Sequence, residues 1–148
     1  MLGLAVLESG NLIDYSVKLF KEAWTPAKMD RILTSLTSAI LDYNTTHMVL
    51  SIPPIHFQEK PFNELWQEIT VMGRDKGLVV ESYKQRDLQA LCGHEEMMSR
   101  RLLMNVVVER FPELEAYRRR ELSSRNKYYY KMFEAVAVAL LYENDESE

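Results

Sequence analysis

The most apolar stretch of the sequence carries one acid. Met132 to Leu141 is apolar except for Glu134. Two kinds of chemistry suit that carboxylate. Held at the edge of a core, it could bind a hard divalent ion such as Mg²⁺ or Mn²⁺, which prefers oxygen ligands. On an exposed helical stripe with Lys127 and Lys131, at i, i+4 and i+7, it would instead make a surface pair with Lys131 worth about 0.2–0.5 kcal/mol. A second candidate lies just upstream. Arg118, Arg119, Arg120, Arg125, Lys127 and Lys131 form a basic run with Tyr128, Tyr129 and Tyr130 inside it, and Glu121 is the only acid in it. Arginine binds phosphate and tyrosine stacks on bases, so a nucleic-acid surface is one reading. A solvated helix face with half-buried tyrosines is the other.

Other chemistries lack their residues. The sequence has no G-x-G-x-x-G and no G-x-x-x-x-G-K-[ST] phosphate cradle, and no G-x-S-x-G elbow. The histidines His47, His56 and His94 are scattered, with no i, i+4 pair of the kind zinc sites use. Cys92 is the only cysteine. It reads as a small buried residue rather than a nucleophile, it excludes an internal disulfide, and it fits a reducing, cytoplasmic compartment. The methionines read as core filler.

Stepping outward to the elements, Met1 to Glu8 is apolar on both alternating faces and suits a strand buried on two sides. Ser9-Gly10-Asn11 signals a turn, and Leu12 to Phe20 alternates, so the two segments predict a β-hairpin. Thr25-Pro26 reads as an N-cap followed by proline at the first helical position, and Met29, Ile32, Leu33, Leu36, Ile40 and Tyr43 follow at helical spacing. His47 to Ile52 predicts a second buried strand, stopped by Pro53-Pro54. A helix is expected from about Pro61 to Asp75, a strand over Leu78 to Tyr83 and a short helix over Asp87 to Leu91. Further helices are expected over His94 to Phe111, Pro112 to Leu122 and Asn126 to Tyr142. Strands alternating with helices predict an α/β sheet with some parallel pairs.

The chain has 148 residues, which suits one domain, over 1–142. Its formal net charge is −4, and Glu143, Asp145, Glu146 and Glu148 account for that as an acidic tail, 143–148, expected to be disordered. The body is neutral, which argues against strong nonspecific nucleic-acid binding but leaves room for a local patch. No apolar run approaches the length of a membrane span, and no basic segment precedes a long apolar core, so neither a membrane anchor nor a signal peptide is expected.

The order of elements resembles the ribonuclease-H-like fold and, within it, the RuvC family of Holliday-junction resolvases. Gly3-Leu4-Ala5-Val6-Leu7 and Leu12-Ile13-Asp14-Tyr15 resemble that family's second and third strands. His47 to Ile52 resembles its fourth. Leu78 to Tyr83, with Leu88, Leu91 and Gly93 behind it, resembles its fifth. Phe133-Glu134-Ala135-Val136-Ala137-Val138-Ala139 resembles its closing helix. The resemblance implies a cytoplasmic, bacterial nuclease whose carboxylates hold two divalent ions for phosphodiester cleavage of branched DNA. It also implies a sheet in which the first strand is central.

The carry-over is incomplete. The first strand and its acid have no counterpart. The fourth-strand carboxylate falls at Pro53. One acid of the closing helix matches Glu134, and its companion three residues earlier falls at Lys131. The lysine after the fifth strand has no match in Glu95 to Met98. Three functions follow as expectations. The first is a divergent RuvC-like protein that associates with branched or duplex DNA through Arg118 to Lys131, with most catalytic carboxylates missing. The second is a Mg²⁺- or Mn²⁺-dependent endonuclease using Glu134 with acids such as Glu81 or Glu8. The third is a noncatalytic structural protein, for instance a homodimer. The missing strand is expected to be met by direct pairing across the gap, by upstream sequence or by a partner strand.

Overall fold

The computed structural model describes residues 1–20, 23–53, 59–93, 99–125 and 127–146. His56, His94, Asn126, Glu148, Pro54 and the stretch 95–98, all named above, lie outside them. Strand β1 (Leu2–Glu8) and strand β2 (Asn11–Lys18) pair antiparallel, from Leu2 opposite Lys18 to Glu8 opposite Asn11. Ser9 and Gly10 both take positive φ, at 52° and 79°, which gives the two-residue turn whose twist matches a hairpin. The register slips between Val6 and Leu7, a bulge that bends the hairpin. Arg110 Nη2 donates to the Gly10 carbonyl at 2.8 Å and ties the turn to the rest of the molecule.

Helix α1 (Pro26–Tyr43) begins as expected. The Thr25 hydroxyl accepts from the Lys28 amide at 3.1 Å and Pro26 opens the helix. Asn44 closes it in the left-handed conformation, φ 50°. Strand β3 (His47–Ile52), helix α2 (Lys60–Asp75) and strand β4 (Val79–Lys84) then form a β-α-β unit. β3 and β4 are parallel, His47 opposite Val79 through Ile52 opposite Lys84. A 3-10 turn (Gln85–Leu88) runs into the short helix α3 (Gln89–Cys92). Helix α4 (Arg100–Arg110), a 3-10 turn (Pro112–Leu114), helix α5 (Glu115–Ser123) and helix α6 (Tyr130–Glu146) complete the order.

α6 is the centre of the core. Met132, Phe133, Val136, Ala137, Val138, Leu140 and Leu141 are all buried. A helix apolar on so many sides has to be enclosed, here by the hairpin and by α4, whose Leu103, Met104 and Val107 face it. β1 packs along α6 because residue 3 is glycine. A Cβ at Gly3 would run into the carbonyl of Lys131.

Two expectations about this helix need correcting. It starts at Tyr130, not Asn126, so Lys127 is outside it and the predicted stripe through Lys127, Lys131 and Glu134 does not exist. It also continues through Glu146, so Glu143, Asp145 and Glu146 belong to its last turn rather than to a disordered tail. The Tyr83 hydroxyl anchors that turn by donating to Asp145 at 2.8 Å.

The α/β architecture is the expected one, with an N-terminal hairpin and a parallel pair flanked by helices. The sheet, however, is in two pieces. Among the described residues β1 pairs with β2 and β3 with β4, and no ladder joins β1 to β3. Direct pairing across the gap, weighed from the sequence, is therefore absent there. α6 fixes how the pieces face each other. β1 starts beside Lys131 at the first turn of α6. Ser51, near the end of β3, reaches Glu134 in the same part of the helix, while His47, at the start of β3, packs on Tyr142 near its other end. So β1 and β3 run antiparallel, with inner edges facing across open space. No helix among the described residues is long and apolar enough to cross a membrane.

Candidate functional site

Glu134 lies one turn into α6, on the side that faces the gap. It is 7% exposed, because α6 is enclosed, so the expected surface pair with Lys131 is in fact half buried. Lys131 Nζ stands 3.5 Å from Glu134 Oε1. Ser51 Oγ donates to Oε2 at 3.4 Å and Gln85 Nε2 donates to the same oxygen at 3.5 Å. All three distances are at the long end of hydrogen bonding, so the carboxylate is satisfied but loosely held. Ser51 comes from the end of β3 and Gln85 from the turn after β4. Parallel pairing brings these strand ends together beside α6. Neither residue carries a sequence signal of its own.

This donor set does not fit a divalent ion. One carboxylate, a hydroxyl and an amide surround the point, and the Lys131 ammonium already supplies the positive charge there. A Mg²⁺ or Mn²⁺ site needs several anionic oxygens. The acids named from the sequence do not join Glu134. Glu8 ends β1, roughly 17 Å along the strand from Gly3, which abuts Lys131. Glu81 is exposed on β4 near Tyr83 and Tyr142, toward the far end of α6. Pro53 borders the same open space and offers no side-chain ligand. Among the described residues no three His, Cys, Asp or Glu side chains cluster as a metal site would require.

Two solved structures are similar to this arrangement. One is a Thermus thermophilus RuvC structure, with a TM-score of 0.67 at 15% identity over 98% of this chain and 87% of that one. The other is T. thermophilus RuvC in complex with Holliday junction substrate, with a TM-score of 0.66 at 14% identity over 95% of this chain and 84% of that one. The chain has a RuvC-like, ribonuclease-H-like fold. No family model and no curated protein sequence matches it. At these identities the likeness extends to the backbone and not to chemistry.

The RuvC-like fold distributes the basic run unevenly. Arg118 lies against Glu115, with Nε to Oε2 at 2.7 Å and Nη2 to Oε1 at 2.8 Å, and also donates to Asn105 at 3.0 Å. These bonds pull the Glu115 carboxyl down to about 2, with Arg119 adding to the effect. Lys127 Nζ donates to the Glu121 and Ser124 carbonyls and so finishes α5. Lys131 is beside Glu134. Arg119, with 77% of its side chain exposed although it also touches Glu115, faces outward with Arg120 and Arg125, and Lys127 and Lys131 are exposed as well while held by those contacts. The tyrosines are not a stacking platform. Tyr130 is buried, and Tyr128 and Tyr129 stack edge-on against each other and, through Tyr129, on Tyr117.

Glu121 has a structural role that its place in the basic run does not announce. It is 2% exposed, and its carboxylate accepts the amides of Tyr128 at 2.8 Å, Tyr129 at 3.1 Å and Tyr130 at 2.9 Å. The Tyr130 amide is the first donor of α6, those of Tyr128 and Tyr129 lie just ahead of it, and a negative charge is favourable at that end of a helix. A lone acid in a basic run, a few residues ahead of an apolar helix, was the available signal.

Proposed function

We propose that this RuvC-like chain binds branched or duplex DNA without cutting it. The observation that carries the proposal is the make-up of the gap-facing site. The fold is one that a solved neighbour uses on a Holliday junction, yet Lys131 and Pro53 border the site and, among the described residues, no cluster of acids forms with Glu134. Binding is assigned to Arg119, Arg120 and Arg125; Arg118, Lys127 and Lys131 are tied to Glu115, to the end of α5 and to Glu134, although both lysines are exposed. A neutral body with so small a patch gives modest affinity and a strong preference for low salt. A single cysteine, Cys92, buried in the core, fits a cytoplasmic setting.

Fluorescence anisotropy with a labelled four-way junction and a labelled duplex is the test. Binding should weaken steeply between about 50 and 200 mM salt. Replacing Arg119, Arg120 and Arg125 together by alanine should weaken it further and flatten the salt slope by roughly 0.9 per lost phosphate contact. Incubation with Mn²⁺ should leave the DNA intact. Folded protein that fails to bind at low salt would overturn the proposal, as would cleavage that Glu134→Gln abolishes.

A further inference from the structure

Glu134 faces the open space between the two sheet pieces, a cavity of about 720 Å³ that Ser51, Pro53 and Lys131 also border. Lys131 precedes Glu134 by three residues on α6, so both side chains leave the helix on the same side. The backbone at Lys131 is fixed, because β1 packs on its carbonyl at Gly3. Its Nζ stands 3.5 Å from Glu134 Oε1, with 45% of the lysine side chain exposed. Ser51 and Gln85 donate to the other carboxylate oxygen, and neither brings a charge. One positive and one negative charge therefore meet beside apolar Ala135 and Val138.

From this we infer that Lys131 is the resident cation of the site. Its ammonium takes the part of the divalent ions that the resemblance to RuvC implies, and it keeps such ions out. The inference concerns charge and folding, and it does not depend on the DNA reading. A single carboxylate is neutralised by a single ammonium. A divalent ion in the same place leaves one positive charge uncancelled at the edge of the core, and Lys131 adds another beside it. Swinging Lys131 out to solvent relieves that repulsion. It also leaves the ion with one carboxylate and two neutral groups, too little to replace its hydration. The lysine, by contrast, carries its charge on the chain and depends on no ion concentration. Exclusion is then the property of one residue. Replacing Lys131 by an acid puts two carboxylates three residues apart on one side of α6, with the Ser51 hydroxyl and the Gln85 amide next to the same point. That is an oxygen set of the kind Mg²⁺ and Mn²⁺ take.

The test uses the full chain and Mn²⁺, without DNA. The parent should leave the paramagnetic resonance signal of free Mn²⁺ unchanged, and should melt at the same temperature in Mn²⁺ and in EDTA. Lys131→Glu should bind one Mn²⁺ roughly tenfold or more tighter than any binding by the parent, and Mn²⁺ should raise its melting temperature. Adding Glu134→Gln to Lys131→Glu should abolish both effects. A neutral variant tests the pairing by itself. Lys131→Gln should lower the melting temperature of the parent by about 3 °C, but by less than about 1 °C where Glu134→Gln is already present. Circular dichroism reports whether Lys131→Glu is folded, and the parent titration and the Lys131→Gln comparison stand without it. One-to-one Mn²⁺ binding by the parent that Glu134→Gln removes would overturn the inference. So would a folded Lys131→Glu chain that binds Mn²⁺ no better than the parent, or an equal loss from Lys131→Gln in both backgrounds.

Discussion

Tyr130 shows how one side chain couples the candidate site to the core. Its ring is buried at the start of α6, and the Arg100 guanidinium lies 4.6 Å from its centroid. Burial, reinforced by the Glu134 charge and opposed by Arg100, pushes the phenol up to about 12 from an ordinary 10.0. In the unfolded chain the phenol loses its proton from about pH 10, while in the folded chain it holds it to about 12. Between those values the unfolded state binds fewer protons, so stability falls as pH rises through the window. Tyr130→Phe should make that alkaline fall shallower, as read from urea midpoints across the window. Burial also holds Tyr15, Tyr83 and Tyr142 high, and a hydrogen bond to Asp14 does so at Tyr43, so part of the fall will persist. Sequence could name Glu134 as a residue of interest, because a lone acid in an apolar helix is conspicuous. It could not name Ser51 or Gln85. Their meeting with Glu134 depends on the parallel register of two strands separated by a helix.

The elements were legible where the rule is local. Thr25-Pro26 marks a helix start through its own hydroxyl and ring, and Ser9-Gly10 marks a turn through its own backbone. The start of α6 was misplaced because its cap is remote. Lys127 and Tyr128 continue a helical pattern in the sequence, but the amides of Tyr128, Tyr129 and Tyr130 are taken by Glu121, which holds the chain out of helix until Tyr130. The end of α6 was misplaced for a similar reason. An acidic last turn opposes the helix dipole, and the contact that steadies it comes from Tyr83, far away in the sequence. Glu121→Ala should therefore cost about 3 kcal/mol, since it strands one buried and two half-buried donors, and should lower the melting temperature by roughly 10 °C. Glu121→Gln should fall between the two proteins, because its amide nitrogen meets donors where an oxygen is needed. Calorimetric melts of the three chains would check the order.

Burial is unequal across the whole molecule. Of the buried hydrophobic residues among those described, only Ile32 and Ile69 come before Leu88. The rest belong to the α4, α5 and α6 half and its approach. The cavity accounts for this, because residues of α1, β3 and α2 that a filled sheet would cover face open space instead. Opening free energy follows buried apolar contact. Amides of β3, β4, α1 and α2 should thus exchange at least tenfold faster than those of α6 in the free protein, and uniform protection across both halves would contradict that account. The close fit of Gly3 against the Lys131 carbonyl has a consequence for synthesis of the chain. β1 packs on α6, more than a hundred residues later, so a ribosome must deliver α6 before this part of the core can close. Until then the emerging chain presents an apolar hairpin without its α6 cover, a state open to aggregation.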